Sequence, residues 1–130
     1  MEEKLLLKDV NLDNVSFLNN GTSLRFDFIN MNDGESYATI ICKEVCLFRY
    51  DNAFESEGDA FPCYIIEVTV NRVNNENIDR VLNELQWNFE LSDQYHSQFF
   101  STENHLISIN SGEVHILVLC NGYDFQVNEL

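Results

Sequence analysis

The sequence predicts an α+β domain that is mainly antiparallel β, arranged as a two-layer sandwich or open barrel with one packed helix near residues 76–87. Three observations predict this class. A chain of 130 residues is long enough for one independent hydrophobic core. Most of its apolar stretches alternate with a period of two, which is typical of strands, and one segment repeats at helical spacing. We therefore expect residues 1–130 to form a single domain.

The first half of the chain reads as strands joined by turns. Residues 24–28 alternate between apolar and mostly polar side chains, which predicts a half-buried strand after a turn at residues 19–22. An Asp-Gly pair within residues 31–35 suits a hairpin turn, because glycine tolerates the positive φ that such turns require. We expect the returning strand at residues 37–42.

The middle of the chain contains an interruption and a loop. Lys43 and Glu44 separate two apolar runs, so we expect a kink or bulge before residues 45–50. Residues 51–59 contain four acids and no base, which predicts an exposed loop. The single proline, Pro62, marks the start of a strand whose even-numbered residues from 64 to 70 face one side.

The helical segment is the one place where apolar residues recur at i, i+3, i+4 and i+7. These residues are Ile78, Val81, Leu82 and Leu85. They predict an amphipathic helix over residues 76–87, with Asn74, Asn75 or Asn77 as its N-terminal cap. The polar residues 90–104 are interpreted as a loop.

The end of the chain reads as a three-stranded antiparallel meander. Its strands are expected at residues 105–109, 113–120 and 123–127, with turns at residues 110–112 and 121–122.

Charge excludes several classes of partner. The chain has 22 Asp and Glu against 7 Lys and Arg, a formal net charge of −15. Binding to nucleic acid needs clustered cations, and an anionic membrane repels such a chain, so we expect neither partner. The sequence lacks a signal-peptide pattern and any apolar run near the about 20 residues that span a bilayer. These features predict a cytoplasmic protein with reduced cysteines.

No pattern of residues indicates catalysis. The cysteines lack a flanking catalytic signature, and most lie in apolar runs that are typical of buried side chains. Cys42 and Cys46 form an incomplete metal-binding pair. His105 and His115 could face each other across a hairpin, either as ligands or as an ordinary polar pair. We therefore predict a monomeric or weakly associating protein with no enzymatic activity, no metal site and no cofactor.

The distribution of charge indicates a protein partner. All seven Lys and Arg precede residue 81, which leaves the seven acids of residues 81–130 without a nearby base in the sequence. Such charge either keeps the protein soluble or steers it toward basic proteins, with exposed aromatics as anchors. The candidate partner-binding residues combine both features and are Phe54, Glu55, Glu57, Asp59, Glu90, Asp93, Tyr95, Phe99, Phe100 and Glu103.

The order of the strand-like segments, with the chain's size and charge, resembles a known group of proteins. The segments are residues 24–28 (LRFDF), residues 64–68 (YIIEV) and the late hairpin from 105–109 (HLISI) to 114–118 (VHILV). They are similar to small acidic bacterial immunity proteins of polymorphic or contact-dependent toxin systems. The resemblance implies a cytoplasmic protein that binds a cognate toxin, often a basic nuclease, and blocks it. It identifies no functional residue.

Two functions follow as hypotheses. The first is a non-catalytic, immunity-type inhibitor that neutralises a basic protein partner through an acidic surface. The alternative is a small-molecule or carbohydrate-binding β-module with its pocket on the sheet face around His105 and His115.

Overall fold

The protein is described by a computed structural model that covers residues 2–52, 61–74, 76–84, 103–112 and 114–128. In this described part, strands predominate and one short α-helix is present, together with a 3-10 turn at Asn19–Gly21. The strands are β1 Glu2–Leu5, β2 Val10–Leu18, β3 Ser23–Asn30, β4 Ser36–Asn52, β5 Cys63–Tyr64, β6 Glu67–Val73, β7 Asn104–Asn110 and β8 Val114–Val127, and the helix is α1 Ile78–Glu84.

All eight strands belong to one open, antiparallel sheet. Their order is β1-β6-β7-β8-β4-β3-β2-β5. The two longest strands, β4 and β8, lie side by side at its centre and pair from Ala38↔Val127 to Asn52↔Val114. The prediction of a mainly antiparallel β protein with a short helix is therefore confirmed.

One face of the sheet, here called the inner face, carries the main hydrophobic core. Alternate residues of β3, β4, β7 and β8 point into it, because successive side chains of a strand point to opposite faces. The largest fully buried side chains include Phe26 and Phe28. Burying one such side chain contributes roughly 1.5–3 kcal/mol, so this face supplies most of the stability of the sheet.

The opposite face, here called the outer face, carries a second and smaller core. It joins Ile78 and Val81 of α1 to Val73 of β6 and Leu119 of β8. Leu119 follows Val118, which belongs to the main core, so the two residues lie on opposite faces of β8. The helix therefore covers part of the outer face.

The helix begins two residues later than its spacing predicts. Residues 76 and 77 form a turn, in which the Asn74 Oδ1 accepts a hydrogen bond from the Glu76 N–H at 2.9 Å. The Asn74 carbonyl also accepts from the Ile78 N–H at 2.9 Å. Of the three candidate caps, Asn74 supplies this side-chain acceptor, while the predicted residues 85–87 lie outside the described part.

The predicted irregularity after Lys43 is confirmed. Glu44 has a φ of 51°, and the pairing of β4 with β8 shifts register between Val45 and Leu47. A bulge of this kind bends a strand without ending it. The strand β4 accordingly runs through both predicted segments.

The predicted strand over residues 64–70 is interrupted. The Ile65 N–H donates to the Val10 carbonyl at 3.0 Å, whereas the Ile66 N–H donates to the Asn110 carbonyl at 2.9 Å. The segment thus ends its pairing with β2 and begins to pair with β7 within two residues. Ile65 is buried and Ile66 is exposed, so the prediction that Ile66 and Val68 share a face is wrong.

The predicted turn at residues 121–122 is also wrong. Gly122 pairs with Lys43 inside one continuous strand, and β8 runs unbroken from Val114 to Val127. The expected three-stranded meander is therefore a two-stranded hairpin. Its second strand is long because β4 offers a partner along its whole length.

Candidate protein-binding surface

Nearly every cation of the chain is already paired with a carboxylate. All seven Lys and Arg lie in the described part, and Lys8 is the one among them with no carboxylate of a described residue within 4 Å. The N–O distances range from 2.6 Å to 3.9 Å. The six pairs are Lys4–Glu67, Arg25–Asp27, Lys43–Asp124, Arg49–Asp51, Arg72–Glu103 and Arg80–Glu84.

For the described acids of residues 81–130, the charge segregation seen in the sequence does not persist in space. Glu84, Glu103 and Asp124 come from the base-free end of the chain, yet each pairs with an Arg or Lys from the first 80 residues. Strand pairing brings the two ends together, since β8 lies beside β4 and β7 lies beside β6. The expectation that these acids are uncompensated is therefore wrong for these three.

One predicted partner-binding residue can be placed. Glu103 precedes β7, and its Oε1 lies 3.3 Å from the Nε of Arg72, with both side chains about half exposed or more. The other candidates lie outside the described residues. These are Phe54, Glu55, Glu57, Asp59, Glu90, Asp93, Tyr95, Phe99 and Phe100.

A group of unpaired acids surrounds the β3–β4 turn and is here called the acidic turn, comprising Asp9, Asp33 and Glu35. The Met31 N–H donates to the Asp9 carbonyl at 3.0 Å, and the Glu35 N–H donates to the Asp33 Oδ1 at 2.9 Å. Within the described chain, no Lys or Arg lies within 4 Å of these carboxylates. The acidic turn therefore presents negative charge to solvent.

Four aromatic rings form a second surface feature, here called the aromatic strip. The exposed ring of Phe17 packs edge-on against Phe48, with centroids 6.0 Å apart. Tyr50 is also exposed, and its ring lies 6.1 Å from that of Phe61. Phe48 and Tyr50 are two residues apart on β4 and so share a face. Local sequence does not reveal this strip, because its rings come from three separate segments of the chain that the fold brings together.

The two histidines of the last hairpin do not face each other. His105 pairs with Cys120, and His115 pairs with Asn110, so they lie at opposite ends of the hairpin. Alternation places His105 on the inner face with Ile107 and His115 on the outer face. The predicted juxtaposition is wrong, because the turn is centred nearer residue 112 than residue 110.

Each histidine has a different environment. The ring of His105 meets Tyr123 edge-on, with centroids 5.2 Å apart, and its Nδ1 is buried without a hydrogen-bond partner. The Nε2 of His115 lies 2.9 Å from the Ser108 Oγ.

The Ser108–His115 contact has the distance of a nucleophile beside a base. Asp51 lies opposite His115 in the sheet, but its Oδ2 is bonded at 2.8 Å by the Nε of Arg49. Both partners of the contact are on the outer face, and neither lines the cavity of about 240 Å³ that opens beside α1. The arrangement therefore corresponds to a cross-strand polar pair.

The cysteines are all free thiols. A hydrogen bond with Cys120, together with burial, raises the pKa of Cys42. Burial also raises the pKa values of Cys46 and Cys63. A raised pKa favours the protonated thiol, which is a poor nucleophile and a poor metal ligand. In the described part of the chain, no three or more His, Cys, Asp or Glu side chains are arranged to hold a metal ion.

Comparison with protein families gives a match to a family model that covers residues 5–127. The chain belongs to this family. This family is described as "-like", and its description states no activity, ligand or partner. The search of curated proteins gives no match.

A solved structure has a similar fold. It is a crystal structure of an uncharacterized protein from Neisseria gonorrhoeae, with a TM-score of 0.65 and 17% sequence identity. The alignment covers 97% of each chain. At this identity the likeness concerns the fold alone. Among the described residues, no helix has the length and apolar character needed to cross a membrane.

Proposed function

We propose that the protein is a non-catalytic inhibitor of the immunity type that acts in the bacterial cytoplasm as a monomer. It binds and neutralises a basic protein partner, such as a toxin with nuclease activity, and uses no cofactor. The observation that carries the proposal is the pairing of six of the seven Lys and Arg with carboxylates. The surface therefore combines a net charge of −15 with very few free cations.

Electrostatics supports a basic partner. Clustered acids without counter-charges raise the local concentration of cationic proteins and speed their encounter. The acidic turn contributes three such carboxylates in the described part. The segments around residues 54–59 and 90–103 remain the proposed contact region, because they combine acids with aromatics that can serve as anchors.

The test needs the partner itself. Affinity capture from the native host, followed by mass spectrometry, identifies it, and stopped-flow mixing then measures association and dissociation. We expect association to slow markedly between about 10 mM and about 150 mM salt, because the Debye length falls from about 30 Å to about 8 Å. Dissociation should change less.

A matched pair of variants separates local steering from total charge. The triple variant Glu55→Gln, Glu57→Gln and Asp59→Asn should slow association. The variant Asp9→Asn, Asp33→Asn and Glu35→Gln removes the same number of charges from the acidic turn, and it should slow association less if the contact lies at residues 54–59. An association rate that responds neither to salt nor to either variant would leave solubility as the explanation of the charge.

A cavity favours a second candidate function, a small-molecule-binding β-module. It holds about 240 Å³ between α1 and β6, and Arg72 and Arg80 are among its lining residues. This volume is below the roughly 300–1,000 Å³ of typical ligand pockets. Thermal-shift measurements with small carboxylates and phosphates test this candidate. A stabilisation that Arg80→Gln abolishes would favour it over the inhibitor.

A further inference from the structure

Strand β4 extends beyond the strand that pairs with it on one side. β3 pairs with β4 as far as Cys42, and beyond it the described chain makes one further backbone hydrogen bond on that side, from the Val45 N–H to the Thr22 carbonyl at 2.9 Å. Residues 46–51 are here called the β4 overhang, and residues 47–51 of it pair with β8 on the other side. No strand of the described chain lies on their free side. Such an edge presents unpaired N–H and C=O groups to a neighbouring chain.

The two terminal strands of the sheet are less suited to pairing. β1 is four residues long and carries Glu2, Glu3 and Lys4, while β5 has only two residues. Short or charged edges resist the addition of a strand. The β4 overhang is longer and more apolar, since it includes Leu47, Phe48 and Tyr50.

The aromatic strip lies along the same edge. Phe17 is 64% exposed and Tyr50 is 40% exposed, although both belong to strands that bury other side chains in the core. Exposed large apolar groups in a row are typical of binding surfaces. An added strand would place alternate side chains against these rings while its backbone pairs with the overhang.

We propose that the β4 overhang and the aromatic strip form a β-addition site for an extended, basic segment of a protein partner. The basic character rests on the proposed function and on charge complementarity. A second copy of the chain would bring another charge of −15 to this edge. The one cation of the overhang, Arg49, is held by Asp51 at 2.8 Å, so it does not repel a basic strand.

A synthetic nonapeptide that alternates Lys with Val or Phe serves as the probe. We expect it to bind the full-length protein and to slow hydrogen exchange at the amides of residues 46–51. N-methylation of alternate peptide amides removes the backbone donors and should weaken binding about tenfold, equivalent to about 1.4 kcal/mol. The same peptide with Glu in place of Lys should not bind.

Variants of the protein identify the edge that is used. Phe17→Ser and Tyr50→Ser should each weaken binding of the peptide. Tyr64→Ser should not, because Tyr64 has a comparable exposure of 49% but lies on β5. Because all three side chains are exposed, the variants should fold, which a circular dichroism spectrum verifies.

Three results would overturn the β-addition site. One is no binding of the peptide. Another is a peptide affinity that is unchanged by N-methylation, by Phe17→Ser and by Tyr50→Ser. That result would mean that the peptide binds through its charge alone, and it would leave the basic-partner proposal intact. The third is a dimer in light scattering that Tyr50→Ser dissociates, which would make a second copy the occupant of this edge.

Discussion

Phe17 and Phe26 lie on the neighbouring strands β2 and β3, but Phe26 is fully buried whereas Phe17 is mostly exposed. Replacing Phe26 by Ala leaves a cavity in the inner-face core and should lower the free energy of unfolding by about 3–5 kcal/mol. Phe17→Ala is the matched control and should lower it far less, because little of that ring is removed from water. Urea unfolding measures both. Equal losses would contradict the exposed position of Phe17.

The thiol of Cys42 gives stability a pH dependence of known sign. The hydrogen bond with Cys120 and burial raise its pKa above the ordinary 9.0, so the folded state holds the proton more tightly than the unfolded chain. This contribution is complete below the unfolded pKa and is lost as pH rises above it. We expect the free energy of unfolding to fall between about pH 8 and about pH 10, where free thiols ionise.

The control for this pH dependence removes both thiols. Cys42→Ala with Cys120→Ala costs stability at every pH, so the slope rather than the absolute value is compared. The double variant should show a shallower decline, with a remainder from Cys46, Cys63 and Tyr123, whose pKa values are also raised by burial. An unchanged slope would mean that other groups cause the decline.

The exposed aromatic residues show that the burial of a side chain cannot always be predicted from its own strand alone. The sequence identifies Phe26 and Phe28 as core residues through alternation, and the structure agrees. Phe17 and Tyr50 also lie on strands but remain exposed. Their exposure depends on where β3 ends relative to β4, and no local pattern contains that information.

At the scale of elements, the bulge in β4 offers a direct test of backbone strain. Glu44 has a φ of 51°, in the left-handed region that costs a residue other than glycine roughly 1–2 kcal/mol. Glu44→Gly should therefore leave stability unchanged or raise it. Lys43→Gly is the neighbouring control and should lower stability by about 0.5–1 kcal/mol, because glycine is unfavourable in a regular strand. Chemical denaturation that ranks the two variants in the opposite order would refute the strained bulge.

Elements with a regular period were predictable, and interrupted ones were not. The sequence analysis did not predict β2, because the register shift between Leu12 and Asn14 breaks its alternation. It divided β8 at an Asn-Gly pair that normally indicates a turn. Pairing with the long strand β4 keeps Asn121 and Gly122 extended. Gly122 pairs with Lys43, which lies 122 − 43 = 79 residues away in the sequence, so no local pattern contains this information.

At the scale of the whole molecule, the sequence establishes the amount of charge but not its arrangement. The seven cations precede residue 81, yet Lys43 and Arg72 reach acids of the last 30 residues through strand pairing. The acidic turn is instead formed by residues near the start of the chain. Most of the candidate binding residues lie outside the described part, so the proposed contact region still rests on the sequence.

In a chain of charge −15, the attraction within ion pairs opposes the repulsion among the excess carboxylates. The six ion pairs are largely exposed, and such pairs contribute about 0–1 kcal/mol each over short distances. Repulsion among the excess acids acts over longer distances and is therefore screened more by salt. We expect the free energy of unfolding to rise between about 10 mM and about 150 mM salt.

The variant Asp33→Asn with Glu35→Gln provides the control, because it removes two unpaired acids and leaves all six ion pairs in place. At low salt, its free energy of unfolding should be higher than that of the parent. Adding salt should raise this free energy less in the variant than in the parent. Urea unfolding at both salt concentrations measures the two differences. If stability instead fell with salt, the ion pairs would outweigh the repulsion, and excess negative charge would not dominate the field around the protein. The steering argument for a basic partner would then lose its physical basis.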